Sequence, residues 1–185
     1  RTRIAMNATS NDVKLRNNRI SLFKRFAVLG GSGNIIVGNH WFMGDTQENG
    51  VRVAGLILTD SNSKSTVTGN YIDNSFIELT NEYSAEPNYT SSFSFSAISI
   101  TGNIFTCIDV ASDFAFIVVK PFGAGHYLNG LSVTGNVFRT VDGTIDRIEK
   151  LDDSIATLNF GRTVNVIFDN NTFNGVIDPT QSPAA

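Results

Sequence analysis

The strongest constraint on the fold is a short phrase that returns along the chain. "TVTGNYI" (66–72), "SITGNIF" (99–105) and "SVTGNVF" (132–138) share a Gly-Asn pair with apolar residues on both sides. Looser copies extend the series to six asparagines: Asn18, Asn39, Asn70, Asn103, Asn136 and Asn171. Their spacings are 21, 31, 33, 33 and 35 residues. A self-similar period of this size is typical of solenoid proteins.

The neighbours of each repeated asparagine predict two strands joined by a sharp bend. The residue directly before the asparagine is always Gly or Asn, the types that most readily accept positive φ. Apolar residues stand three places before it: Leu15, Ile36, Val67, Ile100, Val133 and Phe168. Apolar residues also stand two places after it: Ile20, Trp41, Ile72, Phe105, Phe138 and Phe173. The alternation before the bend has the period of two that indicates a strand.

A third strand is predicted upstream of each corner. The candidates are 3–6, 25–29, 55–59, 92–96, 114–119 and 155–160. Three short strands per repeat predict an all-β parallel β-helix of about six coils, in which equivalent residues stack ~4.8 Å apart. The asparagines are then expected to form an amide ladder. Unrelated β-turns of a sandwich are the alternative, and the matching apolar positions around all six corners argue against it.

The corner motif resembles that of the right-handed parallel β-helix superfamily of pectate lyases, polygalacturonases and phage tailspikes. The resemblance covers about Arg3 to Ile177 and is closest in character to phage tailspikes and surface spikes. It implies a right-handed solenoid, a secreted or virion-surface location and lateral assembly as a homotrimer. We expect one domain over 1–178, as a segment of a longer β-helix, and a polar tail at 179–185. Further coils or a partner subunit are expected to cover both ends.

Composition narrows the range of partners. The net charge of −3 argues against a polyanion-binding surface, so nucleic acid is not expected as a partner. No apolar run approaches the ~18 residues that cross a membrane. The single cysteine, Cys107, excludes an internal disulfide framework and is expected to be a small buried apolar residue.

The longer repeats carry extra residues, which we assign to insertions at 43–50, 74–92, 120–130 and 141–154. Insertions of solenoids usually collect on one side and often form the binding face. A short surface helix is expected at 145–151. Aromatic residues and one histidine in the insertions are the predicted carbohydrate-binding residues, because exposed rings suit sugar rings: Tyr83, Tyr89, Phe122, His126 and Tyr127. His40 and Tyr71, directly after corner asparagines, are expected to point outward.

Catalytic candidates come from the resemblance to polygalacturonases, which carry their carboxylates in N-T-D and Asp-Asp motifs with a G-H-G on consecutive coils. "LTDS" supplies Asp60 and "AGHY" supplies His126. The sequence departs from the pattern, since Leu58 replaces the Asn, Tyr127 replaces the second Gly, and no Asp-Asp pair lies between them. Asp60 and His126 are therefore weak candidates, and a turn aspartate with a loop histidine is the simpler interpretation.

An acidic cluster in the last insertion is a weak candidate for calcium, which prefers several carboxylate and carbonyl oxygens. Asp142 and Asp146 are its leading members. Arg147 and Lys150 interleave the acids, so a solvated loop or salt-bridged helix is the favoured interpretation and no cofactor is expected.

The predicted function is recognition of a polysaccharide by a β-helix segment of a virion or cell-surface spike, with or without depolymerisation. A secreted polysaccharide lyase or glycoside hydrolase is the first alternative. A purely structural stalk or adhesin module is the second.

Overall fold

The computed structural model describes residues 4–21, 25–42, 47–48, 51–52, 54–59, 62–80, 93–107, 115–120, 127–140, 156–159 and 163–174. Every regular element in these ranges is a β-strand, so the predicted all-β class is confirmed for them. Among the same residues, no helix has the length and hydropathy of a membrane span. The helix predicted at 145–151 lies outside the described residues.

Three six-stranded sheets make up the architecture. The first sheet contains β1 (Ile4–Ala8), β4 (Arg25–Leu29), β9 (Ala54–Leu58), β12 (Phe76–Thr80), β15 (Ala115–Lys120) and β18 (Ala156–Asn159). The second contains β2 (Lys14–Arg16), β5 (Ile35–Val37), β10 (Thr66–Thr68), β13 (Phe93–Thr101), β16 (Tyr127–Thr134) and β19 (Thr163–Asp169). The third contains β3 (Arg19–Ser21), β6 (His40–Phe42), β11 (Tyr71–Asp73), β14 (Ile104–Cys107), β17 (Val137–Thr140) and β20 (Thr172–Asn174).

All strand pairs in these sheets are parallel, and each strand pairs with its equivalent in the adjacent repeat or repeats. The chain visits the three sheets in turn, which is consistent with a parallel β-helix solenoid. A separate two-stranded antiparallel hairpin joins β7 (Gln47–Glu48) to β8 (Val51–Arg52), within and just after the predicted 43–50 insertion.

The register stacks the apolar positions that the sequence repeats. Ile72 pairs with Trp41 on one side and Phe105 on the other, and Phe105 pairs with Phe138. The rings of Phe105 and Phe138 stack with centroids 4.8 Å apart and an interplanar angle of 22°. All four side chains are fully buried, as is Cys107, so these predicted core positions are confirmed.

The first sheet completes the core with its own aromatic residues. Phe26 stacks on Trp41 with centroids 4.7 Å apart, and Phe116 meets Phe105 edge-on at 5.8 Å. Offset and edge-to-face contacts of this kind add to the free energy gained by burying the rings. These side chains belong to one cluster along the inside of the three sheets, and Val28, Ala54 and Ile57 of the first sheet form a second buried cluster.

One predicted strand was wrong. Residues 92–96 were expected to supply the third strand of their repeat, but β12 (Phe76–Thr80) occupies that place in the first sheet. Ile77 and Leu79 of β12 are fully buried and pair with Leu56 and Leu58. Residues 93–101 instead form one long strand of the second sheet.

The error has a local cause. The "FSFS" alternation at 93–96 reads as a strand of its own, but it continues through Ala97, which has a φ of 53° and joins it to the corner strand. Residues 76–80 of the insertion predicted at 74–92 therefore belong to β12, and the one predicted at 120–130 loses Lys120 to β15 and 127–130 to β16.

Candidate functional site on the outer face of the third sheet

The repeated asparagine lies at the bend before each strand of the third sheet, and its hydrogen bonds fix the backbone there. The Nδ2 of Asn103 donates to Oδ1 of Asn136 at 3.0 Å and to the carbonyl of Val67 at 2.9 Å. Its Oδ1 accepts from the backbone N–H of Asn70 at 3.0 Å and from Nδ2 of Asn70 at 2.9 Å. One side chain therefore takes part in four hydrogen bonds with the repeats on either side.

The same pattern runs through the whole asparagine row. Amide-to-amide hydrogen bonds link Asn18 to Asn39 and every following pair as far as Asn171. The four inner members are at most 2% exposed. Such a buried, fully bonded polar row fixes the backbone at each corner. The residue directly after each asparagine therefore starts a strand of the third sheet at a defined place.

These following residues form a row that we call the outer strip, in which only His40 is half-buried and the others are exposed: Arg19, His40, Tyr71, Ile104, Val137 and Thr172. Tyr71 is 37% exposed, Ile104 47% and Val137 37%. They are three of the five large apolar side chains found exposed among the described residues, and they lie on consecutive strands. Contiguous apolar surface of this kind marks interaction sites more often than scattered single residues do.

His40 and Tyr71 form a stacked pair within the outer strip. Their ring centroids lie 4.6 Å apart and the ring planes differ by 21°. One face of the Tyr71 ring is thus covered by His40, and the register neighbour on the other side is Ile104. The outward position expected for Tyr71 agrees with its exposure. The stack therefore covers one face of the Tyr71 ring and leaves the side chain 37% exposed.

Polar groups flank the outer strip two residues further along each strand. Asp73, Thr106 and Arg139 occupy consecutive strands in register. The Thr106 hydroxyl donates to Oδ1 of Asp73 at 3.1 Å, and Arg139 is exposed. A spacing of two residues along a strand is about 7 Å, so these groups lie beside the apolar strip. Asp73 is half-buried and Arg139 exposed, whereas Thr106 is buried between them at 8% exposure.

Hydroxyl groups line the second sheet on the other side of the corner. Thr66, Ser99 and Ser132 form one row, and a second row follows two residues further on: Thr68, Thr101 and Thr134. The hydroxyls of Ser99 and Thr101 lie 3.0 Å apart, and those of Thr101 and Thr134 lie 3.4 Å apart. In these three repeats the half-buried face supplies hydrogen-bonding groups and no charge.

Most site residues predicted from the sequence lie outside the described part of the chain: Asp60, Tyr83, Tyr89, Phe122, His126, Asp142 and Asp146. Tyr127 is the first residue of β16, where it pairs with Phe93. Within the described ranges, no group of three or more His, Cys, Asp or Glu side chains is placed to hold a metal ion.

Sequence reasoning missed a buried carboxylate in the first sheet. Glu78 of β12 is 8% exposed and lies in register between Ile57 and Val118. It points away from the core, since Ile77 and Leu79 on either side of it belong to the core cluster. The signal was the lone acid in the apolar stretch "FIELT", which was assigned to an insertion.

No protein-family model matches the sequence, and no curated protein matches it significantly. The chain has a weak similarity to DFA-IIIase from Arthrobacter chlorophenolicus A6 without its lid, with 12% identity over 92% of this chain and 54% of that chain and a TM-score of 0.28. The same enzyme in complex with DFA-III has 12% identity over 94% of this chain and 57% of that chain, also at 0.28. The chain thus spans about half the length of these structures. A TM-score this low carries no conclusion about activity.

Proposed function

We propose that the chain is a polysaccharide-recognising segment of a right-handed parallel β-helix of six coils, related to the pectate-lyase-like superfamily and closest to the spikes of phage virions or cell surfaces. The outer strip carries the proposal. Three parallel sheets and a buried asparagine row support the solenoid, since both follow from coils that turn the same corner.

The outer strip suits a linear glycan for a geometric reason. Tyr71, Ile104 and Val137 repeat along the stacking direction at the strand spacing of ~4.8 Å. Asp73 lies beside them, and the buried Thr106 hydroxyl donates to its carboxylate. A polysaccharide likewise presents C–H surface and hydroxyls repeatedly along its length, and sites for such ligands combine apolar surface with a few placed polar groups.

The insertions extend this proposal. Tyr83, Tyr89, Phe122, His126 and Tyr127 would add side chains to the glycan site, because loops carried by a rigid scaffold often hold the binding residues. The location is extracellular or on a virion surface, and the segment assembles side by side as a homotrimer. The glycan is the partner, and no cofactor takes part.

Glu78 favours a second candidate, a polysaccharide lyase or glycoside hydrolase. A nearly buried acid on the outward side of a sheet is the kind of group that such enzymes use as a proton donor or base. Hydrolysis needs a second carboxylate, for which Asp60 is the candidate. In that case Glu78→Gln abolishes product formation and leaves glycan binding unchanged.

The test is binding of bacterial capsular and surface polysaccharides on a glycan array, followed by mass spectrometry of the incubated glycans. Ile104→Ser should weaken binding about tenfold or more, equivalent to ~1.4 kcal/mol. Ile167→Ser is the matched control, because Ile167 is 59% exposed but lies on the second sheet. New reducing ends or unsaturated products would identify the enzyme. If the chain neither binds a glycan nor releases products, both candidate functions are overturned and a structural stalk remains.

A further inference from the structure

Tyr71, Ile104 and Val137 give the outer strip a mainly aliphatic surface. Only Tyr71 of these three carries an aromatic ring, and His40 stacks on one face of that ring at a centroid distance of 4.6 Å. Ile104 is the register neighbour of Tyr71 on the other side. Stacking of a ligand on an aromatic side chain uses a face of its ring. The strip therefore offers a ligand more aliphatic than aromatic surface.

Ile104 and Val137 form an open aliphatic pair. They lie in register on neighbouring strands, ~4.8 Å apart, and are 47% and 37% exposed. Gly102 and Gly135 lie two residues before them, and a Cβ added to either glycine would meet no atom within 4 Å. The space on the corner side of both aliphatic side chains is therefore open to a small apolar group.

The chemistry of sugars limits which group can occupy this pair. Ring hydroxyls lose hydrogen bonds to water when they are pressed against aliphatic side chains, and this loss costs free energy. A methyl group gains free energy from the same contact. Two common substituents bring a methyl group to the surface of a glycan: C6 of a 6-deoxyhexose and the N-acetyl group of an amino sugar. Each places an apolar tip on a ring whose other groups are polar.

We propose that the outer strip recognises a glycan whose sugars bear methyl groups, with one methyl group on Ile104 and one on Val137. This inference rests on the proposed function and names the class of glycan. The flanking row supplies polar partners for the ring hydroxyls, because the half-buried Asp73 carboxylate accepts hydrogen bonds and the exposed Arg139 guanidinium donates them. Burying two methyl groups raises the affinity about tenfold over that for the same glycan without them.

The size of the strip favours a small ligand over a second copy of the chain. Tyr71, Ile104 and Val137 span two strand spacings, which is ~10 Å. A stable protein–protein interface buries about 800 Å² on each partner. Three side chains that are each less than half exposed supply only a small part of that area. The strip by itself therefore suits a ligand of a few sugar units.

Matched oligosaccharides test the preference for methyl groups. D-Rhamnose is 6-deoxy-D-mannose, so rhamnose and mannose oligosaccharides of equal length and linkage differ only at C6. Chitin and cellulose oligosaccharides of equal length share their linkage and differ only in the N-acetyl group that replaces a hydroxyl of each sugar. Calorimetric titration of the 185-residue chain should give at least one pair in which the methyl-bearing member binds about tenfold more tightly. The pair that shows the preference identifies the source of the methyl group.

Val137→Thr removes apolar surface from the pair with little change in size, and threonine suits an exposed strand position. It should weaken binding of the methyl-bearing member about fourfold and leave the methyl-free member unchanged. Ile167→Thr is the matched control, because Ile167 is 59% exposed on the second sheet, and it should change neither affinity. Equal binding within both pairs, or an equal loss for both members in Val137→Thr, would overturn the inference and leave the proposed function standing. If none of the four oligosaccharides binds, the inference is also overturned, and the glycan array decides the proposed function independently.

Discussion

Trp41 packs directly over Gly55: a Cβ added to Gly55 would lie 2.7 Å from the indole Nε1 and would also clash with Oγ of Ser75. Trp41 cannot retreat, because its ring is stacked on Phe26 in the fully buried core. We expect Gly55→Ala to lower the free energy of unfolding by about 1–3 kcal/mol through overpacking. Urea denaturation measures the change.

Ser75→Ala provides the control for this clash. It removes the Oγ that an added methyl group would meet, so Gly55→Ala should cost less in the Ser75→Ala background, with a coupling of about 0.5 kcal/mol or more. Strictly additive effects of the two substitutions would show that the clash with Ser75 does not contribute to the stability lost in Gly55→Ala.

The asparagine row predicts a stability loss that depends on position. Asn103→Leu removes a side chain with four hydrogen bonds and leaves the buried N–H of Asn70 without its acceptor. We expect a loss of about 1–3 kcal/mol in urea denaturation. Asn7→Leu, on an exposed position of β1, should stay within about 0.5 kcal/mol. Equal losses at the two sites would contradict a stabilising role for the row.

The stacked phenylalanines predict where the core tolerates a cavity least. Phe138 is fully buried and contacts Phe105, Phe116 and Phe173 at centroid distances of 4.8, 5.6 and 5.7 Å. Phe138→Ala should therefore cost about 3–5 kcal/mol in the free energy of unfolding. Phe173→Ala should cost clearly less in the same assay, since Phe173 is only partly buried in the last repeat. The reverse order would argue against the stacking register.

The glycine that precedes four of the six corner asparagines predicts a backbone preference at that place. Gly102 has a φ of 64°, and a Cβ added there would meet no atom within 4 Å, so conformation alone decides the cost. Gly102→Val should lose about 1–2 kcal/mol, the penalty for a side chain in the left-handed region. Gly102→Asn should lose less, because Asn17 and Asn170 hold the same place with a φ of 54° each. Thermal melting of the two variants compares them directly.

The repeat in the sequence predicted some, but not all, of the described residues of the candidate site. His40 and Tyr71 follow corner asparagines, so the period alone placed them outward and on neighbouring strands. Ile104 and Val137 occupy the same place, but apolar residues in a repeat are easily assigned to the core, and only their exposures of 47% and 37% show the apolar strip. The aromatic residues of the insertions lie between repeats, where no period relates them to one another.

The sequence by itself determined the strand class, the corners and the inward rows at Val67 and Phe105, because each depends on local chemistry: a residue that accepts positive φ, an amide after it, and apolar residues at set distances. Only the tertiary structure decided that Phe76–Thr80 forms a strand of the first sheet and that Glu78 is buried on the outer side of that sheet. It also decided that Gly55 must leave room for Trp41. These features depend on which segments meet across the solenoid, and contacts between distant segments leave no period in the sequence.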